Sequence, residues 1–259
     1  MKAATTFAPA STKTRSSSPT RHAFVSIIVP TFNEAPNICR RAQALGQLPN
    51  AEIIFADGGS NDGTAKAIGS VLPELPNAHL IQTPCGRARQ MNAGAKQAKG
   101  EWLIFLHADT ALPKDSFGVL LKTIKESPHL NSGAFTFRVE HEHWAYRYLE
   151  FYVGLRCKFL KLPFGDQALF IKRRFFEELG GYRDDFPLME DMELVQRLNK
   201  QPGFVVLPVP VFTSPRRYEH DGFFKRGLGN IYLQLLYRFG VHPRELAKKY
   251  YPRNASDVG

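Results

Sequence analysis

Two rhythms of apolar residues alternate along this chain. Phe24–Pro30 is an almost unbroken apolar run closed by a proline, and Glu34–Leu45 follows at helical spacing. Glu52–Ala56 repeats the short run, with a helix opening at Asp62. Ala78–Gln82 is a short strand, and Gly86–Lys99 returns to helical spacing. Glu101–Leu106 is the next strand, and Pro113 precedes a helix over Lys114–Glu126. Short apolar runs between turn residues predict buried strands, and i, i+3, i+4 recurrence predicts helices. Strands alternating with helices imply βαβ units and a mainly parallel sheet.

The second half is less regular. It predicts strands at Gly133–Val139, Gln167–Ile171 and Phe204–Leu207, with helices over His143–Leu160, Arg173–Leu179 and Met189–Asn199. The last element, Phe223–Phe239, puts Phe224, Leu228, Ile231, Leu235 and Phe239 on one helical face. That face can pack on the rest of the protein or dock on an anionic membrane as a peripheral contact. The expected organisation is an α/β domain over 23–215, a sheet flanked by helices, with a basic amphipathic helical extension over 216–259.

Composition narrows the class. A chain of 259 residues can bury a sizeable core. Cys39, Cys85 and Cys157 are few, odd in number and unpaired in spacing, which argues against a disulfide framework or zinc site and for a reducing, cytoplasmic setting. No stretch approaches the roughly 20 apolar residues that span a bilayer, so a soluble protein is expected. Residues 1–22 carry Lys2, Lys13, Arg15 and Arg21 without an acid and predict a disordered tail; in a eukaryote the same composition suits an organelle-targeting segment. The net charge of +10 gathers at the two ends. Residues 216–253 hold nine bases against Glu219, Asp221 and Glu245. No nucleic-acid-binding pattern accompanies this charge, so the expected partners are anionic lipid or a diphosphate ligand, and no nucleic acid.

Three acidic motifs follow predicted strands or turns: Asp57-Gly-Gly-Ser-Asn-Asp62-Gly-Thr, His107-Ala-Asp109-Thr, and Glu190-Asp191. In open α/β sheets ligands bind beyond the carboxyl ends of the strands. Asp57 at such an end can accept a hydrogen bond from a nucleobase N–H, while Asp62 caps the next helix. Asp109 can hold a divalent metal through a hard oxygen, with ligand phosphates completing the shell. A neighbouring imidazole, His107, could bond a ribose. Asn33 is the expected cap of the helix beginning near Glu34. Acids opening a helix, as Glu190 and Asp191 do, are ordinary dipole partners. Nucleotide binding, metal binding and base catalysis converging on one sheet edge point to glycosyl transfer.

The ordered set resembles the family 2 inverting glycosyltransferases of the GT-A fold over roughly residues 24–215. It is carried by Pro30-Thr-Phe-Asn-Glu34, the Asp57 segment, Gly86–Gly94 with Arg87, Arg89 and Asn92, His107-Ala-Asp109-Thr, and Glu190-Asp191. Leu106–Thr110, Gly165-Asp166-Gln167 and Ser214–Tyr218 look like a bacterial subgroup labelled as arsenosugar-biosynthesis glycosyltransferases. The resemblance implies transfer from a nucleotide-diphospho-sugar to a small-molecule or lipid-linked acceptor. It implies Asp191 as general base, Asp109 as ligand of Mg²⁺ or Mn²⁺, and donor contacts from Pro30, Thr31, Glu34, Asp57, Gly86, Arg87, Asn92, His107, Asp109, Arg216 and Arg217. Asp166, Gln167 and Glu190 would orient the acceptor. The chain departs from the family at His107, where the metal motif usually has Asp. A sugar nucleotidyltransferase would want a glycine-rich loop after the first strand, which Pro30–Glu34 lacks. A dehalogenase-type phosphatase would need an Asp nucleophile in place of His107. A nucleotide-sugar-binding protein without catalysis would not need both Asp109 and Asp191.

Overall fold

The computed structural model describes residues 25–250. The expected tail over 1–22, the first residue of the Phe24–Pro30 run, and Arg253 lie outside the described residues. Strands β1 (Val25–Thr31), β2 (Ala51–Asp57), β3 (Ala78–Gln82) and β4 (Trp102–Phe105) are joined through helices α1 (Ala35–Gly46), α2 (Thr64–Val71) and α3 (Arg87–Gln97). All their mutual pairings are parallel. A two-residue strand β5 (Thr110–Ala111) and helix α4 (Lys114–Glu126) follow. Then come β6 (Ser132–Val139), α5 (Trp144–Leu160), β7 (Leu169–Lys172), α6 (Arg173–Glu178) and α7 (Glu190–Leu198). The described chain closes with β8 (Phe204–Thr213), α8 (Arg216–Asp221), α9 (Phe223–Arg238) and α10 (Pro243–Tyr250).

The strands form one sheet in the order β3-β2-β1-β4-β7-β6-β8-β5. Strand β7 runs antiparallel between β4 and β6, and β8 returns parallel to β6. The sheet is therefore mainly parallel in its first half and mixed in its second. Chain order reverses at β1, between β2 and β4, and such a reversal opens a crevice at the strands' carboxyl ends.

Both faces are covered, which explains the continuous apolar runs. Ile27, Val29, Ile53, Phe55 and Ile104 point to α1, α2 and α4, while Ile28, Ile54, Leu103 and Phe105 point to α3 and α7. Gly94 brings α3 close, because a Cβ there would sit 2.4 Å from Ile28 Cγ2.

Several expectations need correction. Asn33 does not cap α1: its Oδ1 accepts from Asn61 N–H, and its own N–H donates to Ser60 Oγ. Asp62 bridges two helix starts, accepting from Thr64 N–H of α2 and Ala35 N–H of α1. Strand β8 runs to Thr213, well past Leu207, although Pro208 and Pro210 supply no N–H. A register shift between Ala134 and Thr136 of β6 leaves residues 207–209 out of the pairing, Pro208 among them, and pairing resumes at Pro210 with Thr136. Helix α9 forms as expected, but Leu233 and Tyr237, opposite the predicted face, together with Leu236 at the face's margin, pack with Leu188, Met189, Met192 and Leu246. The stripe from Phe224 to Phe239 is left outward.

Candidate active site

Two adjoining cavities of about 840 and 160 Å³ lie at the crevice. Pro30, Thr31 and Glu34 line the larger one from the end of β1 and the start of α1, with Gly86 and Arg87 entering from α3 and His107 from the loop after β4. Asp109, Asp166, Glu190 and Asp191 line the smaller one, and Arg87, His107 and Arg217 border both.

Local chemistry explains each placement. Asp57 is 1% exposed, and its carboxylate accepts from Gly59 N–H, Ser60 N–H, Ser60 Oγ–H and Thr31 Oγ–H. In this structure Asp57 shapes the loop under Thr31 and lines neither cavity. Gln90, which the motif reading passed over, donates to the carbonyls of Thr31 and Ala56 and ties the ends of β1 and β2 together under the cavity floor. A buried amide on the inner side of a helix was the available signal.

Asp109 follows β4 through a turn closed by Thr110 N–H to His107 O, and β8 docks on it through Ser214 N–H to Asp109 O. The extended β8 thereby delivers Arg217, whose Nε lies 3.2 Å from Asp109 Oδ2. Burial pushes the Asp109 carboxyl up, but Arg217 and the nearby cations outweigh it and hold it below the usual carboxylate range. Burial, then Arg87, pushes His107 down to about 4, so its imidazole is neutral at physiological pH. Arg216 pairs with Glu34, and Arg217 lies 3.6 Å from the same carboxylate.

Helix α7 begins at a strained corner, with Met189 at φ 64°. Packing of α9 and α10 on Met189 and Met192 holds that corner, which turns Glu190 and Asp191 toward the cavity. Asp191 Oδ2 accepts from Gly165 N–H at 2.7 Å and Oδ1 from Met192 N–H at 2.7 Å. Gly165 allows this approach: a Cβ there would lie 2.7 Å from His107 Nε2 and 3.2 Å from Asp191 Oδ2. Buried Glu190 is matched by Arg87, at 3.0 Å, while burial and then Asp191 raise its carboxyl above the usual range. Asp166 carries a sealed Oδ1 with no hydrogen-bond partner. Burial, reinforced by Asp191 and Asp109, pushes its carboxyl up to about 6 against the pull of Arg156.

Like Asp57, the expected contacts Arg216, Asn92 and Gln167 line neither cavity. Asn92 is committed to the loop after α6, bonding both Tyr182 backbone groups and Asp184 Oδ1. Gln167 is 1% exposed and bonded to Phe135 O, Arg156 and Phe164 N–H, which makes it a core clamp. Asn92 and Gln167 are both polar residues whose partners come from distant segments. Conversely, Lys225, Arg226, Asn230, Leu233, Lys249 and Tyr250 line the larger cavity. The described part of the C-terminal extension thus forms a cavity wall. Its last described helix, α10, was signalled by Pro243, Glu245 in the first turn and Lys248-Lys249 in the last.

The model of the family described as "Glycosyl transferase family 2" matches residues 26–180, which hold β1–β4, Asp57, Arg87, Asp109 and Asp166. The chain belongs to glycosyl transferase family 2. An uncharacterized glycosyltransferase of Haemophilus influenzae is 24% identical over 188 residues, covering 70% of this chain and 63% of its own length, so the chain spans under two thirds of that relative. A PGL/p-HBAD biosynthesis glycosyltransferase of Mycobacterium bovis is 28% identical over 187 residues, covering 70% of this chain and 71% of its own. Among solved structures, the mannosyltransferase PcManGT from Pyrobaculum calidifontis, in complex with GDP-Man and Mn²⁺, superposes with a TM-score of 0.64 at 22% identity. It covers 93% of this chain and 74% of its own. S. aureus TarS in complex with UDP reaches 0.58 at 14% identity, over 90% and 73% of the two chains. The family 2 resemblance and the GT-A fold expected from the motifs are both met.

Proposed function

We propose that this chain transfers a glycosyl group from a nucleotide-diphospho-sugar to an acceptor hydroxyl with inversion, using Asp191 as general base. The observation that carries this reading is the convergence of Asp109, Asp166, Glu190 and Asp191 with Arg87 and Arg217 on one crevice of a family 2 chain. The nucleotide complexes of PcManGT and TarS support the donor class.

The donor set suits a divalent ion. Asp109 is an ionised hard-oxygen ligand already matched by one cation, the Arg217 guanidinium. Among the described residues no cluster of three or more His, Cys, Asp or Glu could hold a metal by itself. Mg²⁺ and Mn²⁺ suit such a site, because Mg²⁺ commonly binds through one or two carboxylates plus substrate phosphates. Held by Asp109, the ion would neutralise charge on the departing diphosphate.

The chain's own groups supply the rest. Thr31, Glu34 and Gly86 border the space for the nucleoside, and Arg87 and Arg217 face the diphosphate with fork-shaped donors suited to phosphate. Arg216 lies outside that space and pairs with Glu34, which borders it. Asp191, its oxygens fixed by Gly165 and Met192 N–H groups, takes the acceptor proton as the acceptor oxygen attacks. A single displacement from the side opposite the leaving group inverts the anomeric centre. Asp166, its carboxyl pushed up to about 6 and therefore mainly ionised at neutral pH, can accept a hydrogen bond from the acceptor hydroxyl, and Glu190, held by Arg87, borders the same space.

The test incubates the full chain with UDP- and GDP-sugars, with and without Mn²⁺, and measures nucleoside diphosphate release. Metal-dependent release that Asp191→Asn lowers by about 10²-fold or more supports the reading. Release unaffected by both metal and Asp191→Asn overturns it.

A further inference from the structure

Helix α9 is apolar on two opposite sides. Leu233, Leu236 and Tyr237 pack inward. Phe224, Leu228, Leu235 and Phe239 stand outward, 70, 66, 48 and 84% exposed. Helix α5 repeats the arrangement. Tyr146, Val153 and Cys157 pack against β6, while Trp144, Tyr148, Phe151 and Phe159 are each more than 60% exposed. The outward stripes share one spacing: 144, 148, 151, 155, 159 on α5 and 224, 228, 231, 235, 239 on α9. Their amino-terminal ends meet where the Tyr146 and Phe223 rings pack edge to face at 5.3 Å, with Phe224 against Phe223 at 5.4 Å.

Soluble monomers rarely leave large apolar patches uncovered, and these two stripes each expose several large side chains. Its charge setting selects what covers it. Helix α9 has no acid and carries Lys225, Arg226 and Arg238. Arg244, Lys248 and Lys249 follow on α10, and Lys158 and Lys161 sit at the end of α5. Trp and Tyr beside apolar residues, rimmed by Lys and Arg, match the boundary between headgroups and acyl chains of an anionic leaflet. A second copy of this chain would bring two basic rims together. Among the described residues no helix is long and apolar enough to cross a membrane, so these helices would lie on its surface.

We propose that α5 and α9 together form a docking face for an anionic lipid bilayer. Helix α9 also walls the larger cavity through Arg226, Asn230 and Leu233, on the side opposite its outward stripe. This inference goes beyond the transferase reading and stands without it.

The test is flotation of the full chain with vesicles of phosphatidylcholine alone or with 30 mol% phosphatidylglycerol, at low and high salt. Wild type is expected to float with the anionic vesicles at least tenfold more than with the neutral ones, and to lose much of that at high salt. Phe151→Glu with Phe159→Glu, and separately Leu228→Glu with Phe239→Glu, should each cut flotation at least tenfold while leaving the melting temperature and donor hydrolysis unchanged. The proposal is overturned if wild type does not float, if both vesicle types bind it equally, or if the double variants float like wild type. It is also overturned if light scattering shows a dimer that these variants break and no vesicle binding is found.

Discussion

Replacing Asp166 by Asn should stabilise the protein at neutral pH while impairing its chemistry. The Asp166 carboxyl titrates near 6 in the folded protein against 3.8 unfolded, and its Oδ1 is sealed without a partner. A folded value above the unfolded one means that the native state holds the proton more tightly. The stabilising contribution is therefore complete below about pH 3.8 and is lost as pH rises through 6. At pH 8 the ionised side chain costs roughly 2–3 kcal/mol, from about two pKa units at 1.4 kcal/mol each. Asn keeps the shape and removes the charge. For a domain of this size the gain corresponds to roughly 5–10 °C in melting temperature. The gain should reach its plateau above about pH 7, fall to about half near pH 5 and nearly vanish by pH 4. The assay compares urea or thermal unfolding of the two proteins at matched pH from 4 to 8. Equal or lower stability of Asp166→Asn at pH 8, or a difference that ignores pH, would refute the reasoning. A drop in transfer beside the rise in stability would mark a site held at the expense of stability.

Asp191→Asn should keep donor affinity and lose turnover by about 10²-fold or more, measured as kcat against KM; normal transfer would move the base to another residue. Asp109→Ala should abolish the Mn²⁺-dependent thermal shift by a nucleoside diphosphate, which in the wild type amounts to about 2.7 kcal/mol at a hundredfold excess over Kd, without unfolding the protein. Arg87→Ala should cost about 3 kcal/mol, because it leaves the Glu190 charge, with its side chain only 2% exposed, without that partner. Adding Glu190→Gln should recover much of the loss in denaturant unfolding, and no recovery would show that the pair is not what Arg87 supports.

Local pattern determined much of this molecule. Strand β3 and helix α4 occupy the residues that their periodicity predicts, because a short strand between turns and a helix after a proline are written in adjacent positions. The order of Asp57, Asp109 and Asp191 named the family before any contact was known, since each acid sits at a strand or helix terminus that local sequence defines. The tertiary structure decided what depends on partners far away in the chain. Strand β8 continues through Pro208 and Pro210 because β6 can shift register beside it, and only then does Arg217 reach Asp109. Asn92 and Gln167 carry the polar groups of binding residues, yet distant backbone groups claim their hydrogen bonds. Helix α9 carries apolar residues on two sides, so periodicity finds the helix without choosing its inner face. Contact of Leu233 with the Met189–Met192 corner makes that choice and turns the predicted face outward.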